Sequence, residues 1–294
     1  MSLTPTILVT GANGQVGSEF RVLSKVYTNY NFLFVTREEL PIDDLNALKA
    51  YFEKHTIQYC VNCAAYTAVD KAETEVEKAF LINAEAVGNL AAICKEKGAK
   101  FIHISTDYVF NGTATTPYTE EYAVDPLGIY GASKLKGEQL AIQNNPDTII
   151  VRTSWVYSSF GNNFVKTMLR LMKERESINV VNDQEGCPTY AADLADAIIQ
   201  IIIKIDNNSS FNFPNTIFNY SNQGVINWYQ FATAIKELSA SPCIVNPIPG
   251  AQYPTPAKRP QYSVLDTTKI TNAFGIKIPA WQESLKKCLA LLLI

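Results

Sequence analysis

The sequence is poor in the residues that build metal and redox centres. It holds two histidines in 294 residues. Its six cysteines are Cys60, Cys63, Cys94, Cys187, Cys243 and Cys288, and only Cys60-Val61-Asn62-Cys63 has C-x-x-C spacing. Zinc ribbons and fingers need a second such pair or matched histidines, and neither is there. The segment reads as a strand, where residues three apart face opposite sides, so the two sulfurs are expected apart, as small buried thiols. No metal site is expected. Blocks of like charge are also missing. The chain has 25 Lys and Arg against 28 Asp and Glu, a formal net charge of −3, so no nucleic-acid or anionic-membrane partner is expected. The longest apolar runs, 198–203 and 289–294, fall far short of the ~20 residues of a membrane span. No basic leader precedes the first apolar strand, which reads against a secretory signal. A cytoplasmic location is the expectation.

What is present is an ordinary globular balance, 47% hydrophobic and 18% charged, at a length that suits one large domain or two closely joined lobes. The first half alternates β-branched runs with helical spacing. Strands are expected at 6–10, 32–35, 59–63, 101–105 and 148–153. Helices are expected at 15–26, 45–55 with Asp44 as N-cap, 73–97 with Gly98 as C-cap, and 130–144. This order implies right-handed βαβ units, hence an α/β fold with a doubly wound parallel sheet of Rossmann-like type. Ligands of such sheets bind outside the carboxyl ends of the strands. Residues 1–153 read as an NAD(P)-binding domain. Residues 154–294 read mainly as a smaller substrate-binding lobe, with the chain crossing back to the first domain around 190–225. Helices are expected there at 164–174, 192–205, 228–238 and 281–293. A polar loop is expected at 206–210 and irregular chain at 242–260.

Two motifs carry chemistry. Gly11-Ala12-Asn13-Gly14-Gln15-Val16-Gly17 joins the first strand to the first helix. Glycines there allow close approach to a pyrophosphate, and the helix N-terminus adds N–H groups and a positive dipole end. The spacing is G-x-x-G-x-x-G, not the usual G-x-G-x-x-G. A ligand-free turn is the alternative; the position at the first βα junction favours a cofactor, with Gly11, Asn13, Gly14, Gln15 and Val16 as contacts. The second strand ends in Val35-Thr36-Arg37-Glu38-Glu39. An arginine there accommodates the 2′-phosphate of NADP, so the sequence leans to NADPH over NADH; a solvated surface arginine is the other reading of Arg37. The second motif is Tyr130-Gly131-Ala132-Ser133-Lys134. Residues at i and i+4 share a helix face, and an ammonium beside a phenol lowers a pKa that is otherwise near 10. Such a pair makes a usable proton donor or acceptor. Ser105-Thr106-Asp107, at the end of the fourth strand, can offer a hydroxyl to the same place.

Together these residues resemble the extended short-chain dehydrogenase/reductase family, and within it the dTDP-4-dehydrorhamnose reductase family. The resemblance spans nearly the whole chain. It runs through residues 11–17, Asn62-Cys63-Ala64-Ala65-Tyr66-Thr67-Ala68-Val69-Asp70-Lys71-Ala72-Glu73 and Ser105-Thr106-Asp107-Tyr108-Val109-Phe110. It continues through residues 130–134, Arg152-Thr153-Ser154-Trp155-Val156-Tyr157, Asn182-Asp183-Gln184, and Arg259-Pro260 with Ser263 and Leu265-Asp266. It implies hydride transfer from a nicotinamide to the C4 ketone of a dTDP-linked 6-deoxyhexose. Tyr130 would give its proton to the developing alkoxide. Lys134 would lower the tyrosine pKa and hold the nicotinamide ribose, and Thr106 would bond the reacting oxygen. Asp107 and Trp155 would line the sugar, and Arg259 would suit the nucleotide diphosphate. Ala64, Ala65, Tyr66 and Thr67 would lie along the cofactor, Asp44 on its adenine side, and Asn83 would bond or brace the site.

The chain departs from the family at Pro41, where an acid is common, and at Gln261-Tyr262, where a small residue and an asparagine are usual. No glutamate near Tyr190-Ala191-Ala192 is available for a magnesium-linked dimer, so a monomer or a metal-free homodimer is expected. Two other classes fit the same frame. One is another nucleotide-sugar reductase or an epimerase; a dehydratase would carry a glutamate where Tyr108 stands. The other is a non-enzymatic NADP-binding subunit resembling the regulatory subunit of methionine adenosyltransferase, from which the intact Thr106, Tyr130 and Lys134 set distinguishes this chain.

Overall fold

The computed structural model describes residues 4–207 and 216–293. In chain order the first half runs β1 (Thr6–Thr10), α1 (Gln15–Leu23), β2 (Asn31–Val35), α2 (Leu45–Lys54), β3 (Tyr59–Asn62), α3 (Val69–Ala72), α4 (Val76–Phe80), α5 (Ala86–Glu96), β4 (Lys100–Thr106), α6 (Ile129–Asn144) and β5 (Ile149–Thr153). The second half follows with β6 (Val156–Tyr157), α7 (Phe164–Glu174), β7 (Ser177–Val181), β8 (Glu185–Gly186), β9 (Thr189–Tyr190), α8 (Ala191–Asp206), β10 (Ile217–Tyr220), β11 (Ile226–Asn227), α9 (Trp228–Leu238), β12 (Ile244–Ile248), α10 (Thr268–Phe274) and α11 (Trp281–Leu292).

A six-stranded sheet in the order β10-β5-β4-β3-β1-β2 forms the frame, and every neighbouring pair in it is parallel. Parallel strands covered on both faces must be apolar on both, and Ile7, Leu8 and Val9 are all fully buried. Packed on one face are α1, α8 and α10; on the other lie α2, α5 and α6. Cys60 belongs to one of these layers and Cys63 to the other, which is how three-residue spacing along a strand separates them. The isoleucine run is a core stripe: Ile198, Ile199, Ile201 and Ile202 of α8 are buried against the sheet. No helix among the described residues is long and apolar enough to cross a membrane. A second core, built on Tyr157, Val165, Met168, Phe231, Trp281 and Leu285, joins α7, α9 and α11 with three small two-stranded pairings.

The chain order β5-to-β10 places 217–220 beside β5 in the main sheet, and α8 against α1. Other elements differ from the sequence reading. The helix expected at 73–97 is broken into pieces, because a wide π turn at Leu81–Glu85 separates α4 from α5. Asn83 sits in that turn, and its side chain bonds both the N–H and the C=O of Tyr66 and the Ser133 hydroxyl. Through the Ser133 contact the asparagine of this turn faces α6. Helix α1 stops at Leu23, and the Ser24 hydroxyl donates to the Arg21 carbonyl at 2.9 Å. The stretch expected to be irregular contains β12, which pairs only with β7; an edge position tolerates Pro247. Of the polar loop, Asp206 ends α8 and Asn207 caps it, while 208–210 lie outside the described residues.

Arg152 of β5 and Glu138 of α6 form a buried bidentate pair at 2.9 and 2.7 Å, with side chains only 3% and 2% exposed. Removing one partner strands a charge in the interior. Arg152→Met is therefore expected to lower the unfolding free energy by about 3–5 kcal/mol in a denaturant titration. Arg152→Met with Glu138→Leu should recover most of that loss. A single variant as stable as the parent would show that the pair is not the cement between α6 and β5.

Candidate active site

The carboxyl ends of β1 to β5 open into one cleft of about 830 Å³. Its floor is the glycine loop. Gly11 has φ +62°, and a Cβ there would meet the Ala64 backbone nitrogen at 2.7 Å. A Cβ on Gly17 would lie 2.5 Å from the Gly11 oxygen and 2.6 Å from Ala12 Cα. The loop can therefore be made only without side chains at these positions. Gly14 caps α1 with no side chain of its own, which leaves the helix N-terminus facing the cleft.

Gly11, Asn13, Gly14, Gln15 and Val16 all line the cleft, as do Arg37 at the end of β2 and Ala64 to Thr67 after β3. Among the described residues no carboxylate stands within ion-pair distance of Arg37. Thr106, Asp107, Tyr130, Lys134 and Trp155 converge on the opposite wall. Three expected residues are elsewhere. Asp44 is turned away as the N-cap of α2, accepting from Ala47 N–H at 3.0 Å, and Asp43 faces the cleft in its place. Asn83 is fully buried behind the wall, where it holds Tyr66 against α6. Arg259 is committed to Asp70, two bonds at 2.8 Å, and to the Ala257 carbonyl at 2.9 Å. It ties the 255–262 segment to α3 and holds the Asp70 carboxyl below its ordinary range. Residues to which the sequence reading gave no part in the site include Tyr108 and the Gly161-Asn162 loop. The last carries no motif. Its link to the cofactor loop is the bond from Asn163 Nδ2 to Gln15 Oε1 at 2.9 Å, which joins residues 148 apart.

Burial dominates the electrostatics. It pushes the Tyr130 phenol up to about 12; the Thr106 hydroxyl pulls the other way and Asp107 adds to the rise. Desolvation, not the lysine expected to lower the phenol, sets the direction of the shift here. Burial also brings Lys134 down to about 8, against the opposing pull of Glu138 and Cys63. Its Nζ donates to the Ile104 carbonyl at 2.7 Å and stands 3.1 Å from His103 Nε2. Asp107 is pushed up to about 7 by burial; its Oδ1 accepts from Thr106 at 3.0 Å. Asp107 Oδ2 and Ser105 Oγ are buried without a protein partner. Unpaired polar atoms in a cleft are places where a ligand completes the bonding. Trp155 has φ +48°, a strained conformation for a bulky residue. Its ring stacks on Trp228 with centroids 3.5 Å apart, and a Cβ on Gly186 would come within 2.6 Å of it.

A bare glycine loop at a helix N-terminus, an arginine at the second strand and a buried Tyr–Lys pair beside a threonine define a class: a dinucleotide-binding reductase of the short-chain dehydrogenase type. Comparison with known proteins narrows it. The family described as RmlD substrate binding domain matches residues 5–294. The dTDP-4-dehydrorhamnose reductase of Aggregatibacter actinomycetemcomitans is 41% identical over 287 residues, covering 95% of this chain and 97% of that protein. The crystal structure of a dTDP-4-dehydrorhamnose reductase from Clostridium acetobutylicum superposes with a TM-score of 0.91 at 39% identity, covering 98% of this chain and all of the other. That of the Bacillus anthracis enzyme in complex with NADP gives 0.91 at 36% identity, covering 98% and 99%. The chain belongs to the dTDP-4-dehydrorhamnose reductase family.

The crowding at Gly17 yields a test. Because its Cβ would meet backbone atoms on Gly11 and Ala12, Gly17→Ala must open the loop. NADPH affinity, followed by fluorescence titration, is expected to fall at least about tenfold, the loss of roughly one charge-assisted hydrogen bond. Unchanged affinity would mean that the loop does not touch the dinucleotide.

Proposed function

We propose that this protein reduces the C4 ketone of dTDP-4-dehydro-6-deoxy-L-mannose with NADPH, giving dTDP-L-rhamnose. The observation that carries the reading is the convergence of Thr106, Asp107, Tyr130, Lys134 and Trp155 on the cleft floored by residues 11–16. The cleft suits a dinucleotide: its loop leaves no side chain in the way, and Ser105 Oγ offers an unpaired hydroxyl beside it. When bound, NADPH supplies the hydride. Gly11, Asn13, Gly14, Gln15 and Val16 hold its pyrophosphate, Arg37 its 2′-phosphate, and Ala64 to Thr67 lie along it. NADH fits the same loop without the arginine contact.

Tyr130 is the proton donor. With its pKa pushed to about 12, the phenol is protonated at every ordinary pH, the state that reduction requires. Its proton passes to the C4 oxygen as the carbonyl becomes an alkoxide, leaving a phenolate that a charged Lys134 stabilises. Thr106, within hydrogen-bond reach of Tyr130, bonds the same oxygen. Asp107 and Trp155 hold the sugar. Remote binding of the nucleotide aligns the ketone, so the free sugar should be a poor substrate. The enzyme works in the cytoplasm, on a soluble nucleotide sugar, as a monomer or homodimer.

The purified chain should oxidise NADPH when given the dTDP sugar, and EDTA should leave the rate unchanged. Turnover of a UDP-, GDP- or CDP-linked 4-keto sugar alone would preserve the reductase and change its substrate. No turnover alongside tight NADPH binding would point to a regulatory subunit. Tyr130→Phe is expected to lose roughly 10²–10⁴ in kcat while the cofactor still binds. Arg37→Ala should weaken NADPH about ten- to a hundredfold and leave NADH nearly as before; equal effects on both would make Arg37 a surface charge. The free-enzyme pH profile follows from the two shifts. Tyr130 stays protonated, so it contributes no limb; reductive kcat/KM should fall as pH rises through about 8, where Lys134 loses its charge. A profile flat to about pH 10 would contradict the lysine's role.

A further inference from the structure

Behind Lys134 lies a buried chain of hydrogen bonds whose directions can be worked out atom by atom. His103, in the middle of β4, is fully buried. Its Nδ1 is 3.0 Å from Asn62 Nδ2 and its Nε2 is 3.1 Å from Lys134 Nζ. Burial and the neighbouring lysine hold its pKa well below the usual value, so the ring is neutral, with one nitrogen donating and the other accepting. Asn62 decides which. Its Oδ1 accepts the Ala64 backbone N–H at 3.2 Å, a group that can only donate, and stands 2.6 Å from the Thr10 hydroxyl. Its Nδ2 is therefore the atom turned towards His103, and an amide nitrogen can only donate. Nδ1 must accept, so the ring proton sits on Nε2 and points at Lys134.

Lys134 meets two demands. The Ile104 carbonyl can only accept, and a neutral amine gives it an N–H. The amine lone pair can then accept from His103. An ammonium has no lone pair, and its N–H would face the N–H of the ring. We propose that His103 is a positioning residue that presents its Nε2–H to Lys134 and so favours the neutral amine over the ammonium. Other groups around the lysine do not supply the opposite bias at full strength. Glu138 raises its pKa, but that carboxylate is gripped by Arg152 through two bonds. Cys63 and Tyr130 are kept protonated by burial. The hydrogen-bond directions stand independently of the substrate; the kinetic consequence rests on the proposed reductase activity.

The chain has two histidines, so ¹⁵N-labelling of the imidazoles gives two sets of signals, from His55 and His103. His103 is expected as the Nε2–H tautomer and unprotonated at Nδ1 throughout pH 6–9, about the stable range of most proteins. An Nδ1–H tautomer, or an imidazolium, would overturn the proposal. In His103→Gln the side-chain carbonyl can accept from an ammonium. The Lys134 titration midpoint, read from ¹³Cε-lysine and identified by its loss in Lys134→Met, should then rise by about one pH unit, a tenfold change in the ammonium-to-amine ratio. The basic limb of kcat/KM should move with it while NADPH affinity stays within a few-fold. An unmoved midpoint would make the histidine a packing residue. Should that variant fail to fold, Asn62→Asp keeps an acceptor for Ala64 and is expected to draw the ring proton to Nδ1; a ring still protonated at Nε2 would equally refute the wiring. If the NMR result holds but no sugar is turned over, the wiring stands and the reductase reading falls.

Discussion

A lysine buried on a helix face must have its polar head satisfied by protein, because water cannot reach it. Lys134 has an exposure of only 2%, and the groups within reach of its amine come from β4. Helix α6 must therefore lie close against that strand. Close approach needs small residues, and α6 supplies them. A Cβ on Gly131 would stand 2.2 Å from the Tyr108 carbonyl, and one on Gly137 only 2.0 Å from that of Asn83. Ser133, between them, accepts from Asn83 Nδ2 at 3.0 Å. The same helix carries Tyr130 and, through Ser133, holds Asn83 of the widened turn, which in turn bonds Tyr66.

The second half of the chain meets that wall at a few named points. Glu19 of α1, buried with its pKa raised by desolvation, accepts from the Ser158 hydroxyl at 2.6 Å. Gln15 accepts from Asn163 within the same loop. These bonds tie the 158–163 segment to α1, and Gly161 and Asn162 line the same cleft as the glycine loop. Trp155 is held from behind by Trp228 and beside Gly186 in a backbone conformation that an unconstrained tryptophan would leave. Strain of this kind, of order 1–3 kcal/mol, persists only where the surroundings over-determine it. Here they hold the Trp155 side chain at the cleft wall.

The sheet was legible because its strands are apolar on both faces and alternate with helical spacing; Asp44 and Gly98 behave as their types suggest. The local motifs were legible for the same reason, since residues 11–17 and 130–134 each act within one turn of chain. What could not be read was any feature set by distant partners. Asp44, read both as a cap and as an adenine-side contact, is the local cap alone, and the cleft is faced by its neighbour Asp43. Arg259 looked like a phosphate clamp, yet Asp70, 189 residues away in sequence, holds it. Asn83, in a helical run, gives no sign that it will bond Tyr66. The rise at Tyr130 was not legible because spacing reports the lysine four residues on but not the burial around the phenol.

That reversal bears on the direction of the chemistry. A tyrosine lowered by its lysine would be a ready base, suited to taking a proton from an alcohol. A tyrosine held near 12 is a reluctant acid that keeps its proton until it is needed, and a lysine brought down to about 8 is poised to change charge close to neutral pH. Environments that push the pKa values of two neighbouring groups apart in this way assign their roles. Giving up the phenolic proton is expensive in the bare cleft and becomes cheap only when positive charge is at hand, so the proton moves when Lys134 is an ammonium. The histidine behind the lysine then matters to the tyrosine in front of it, although no bond joins them. The buried sheet, through His103, tunes a group that faces the ligand.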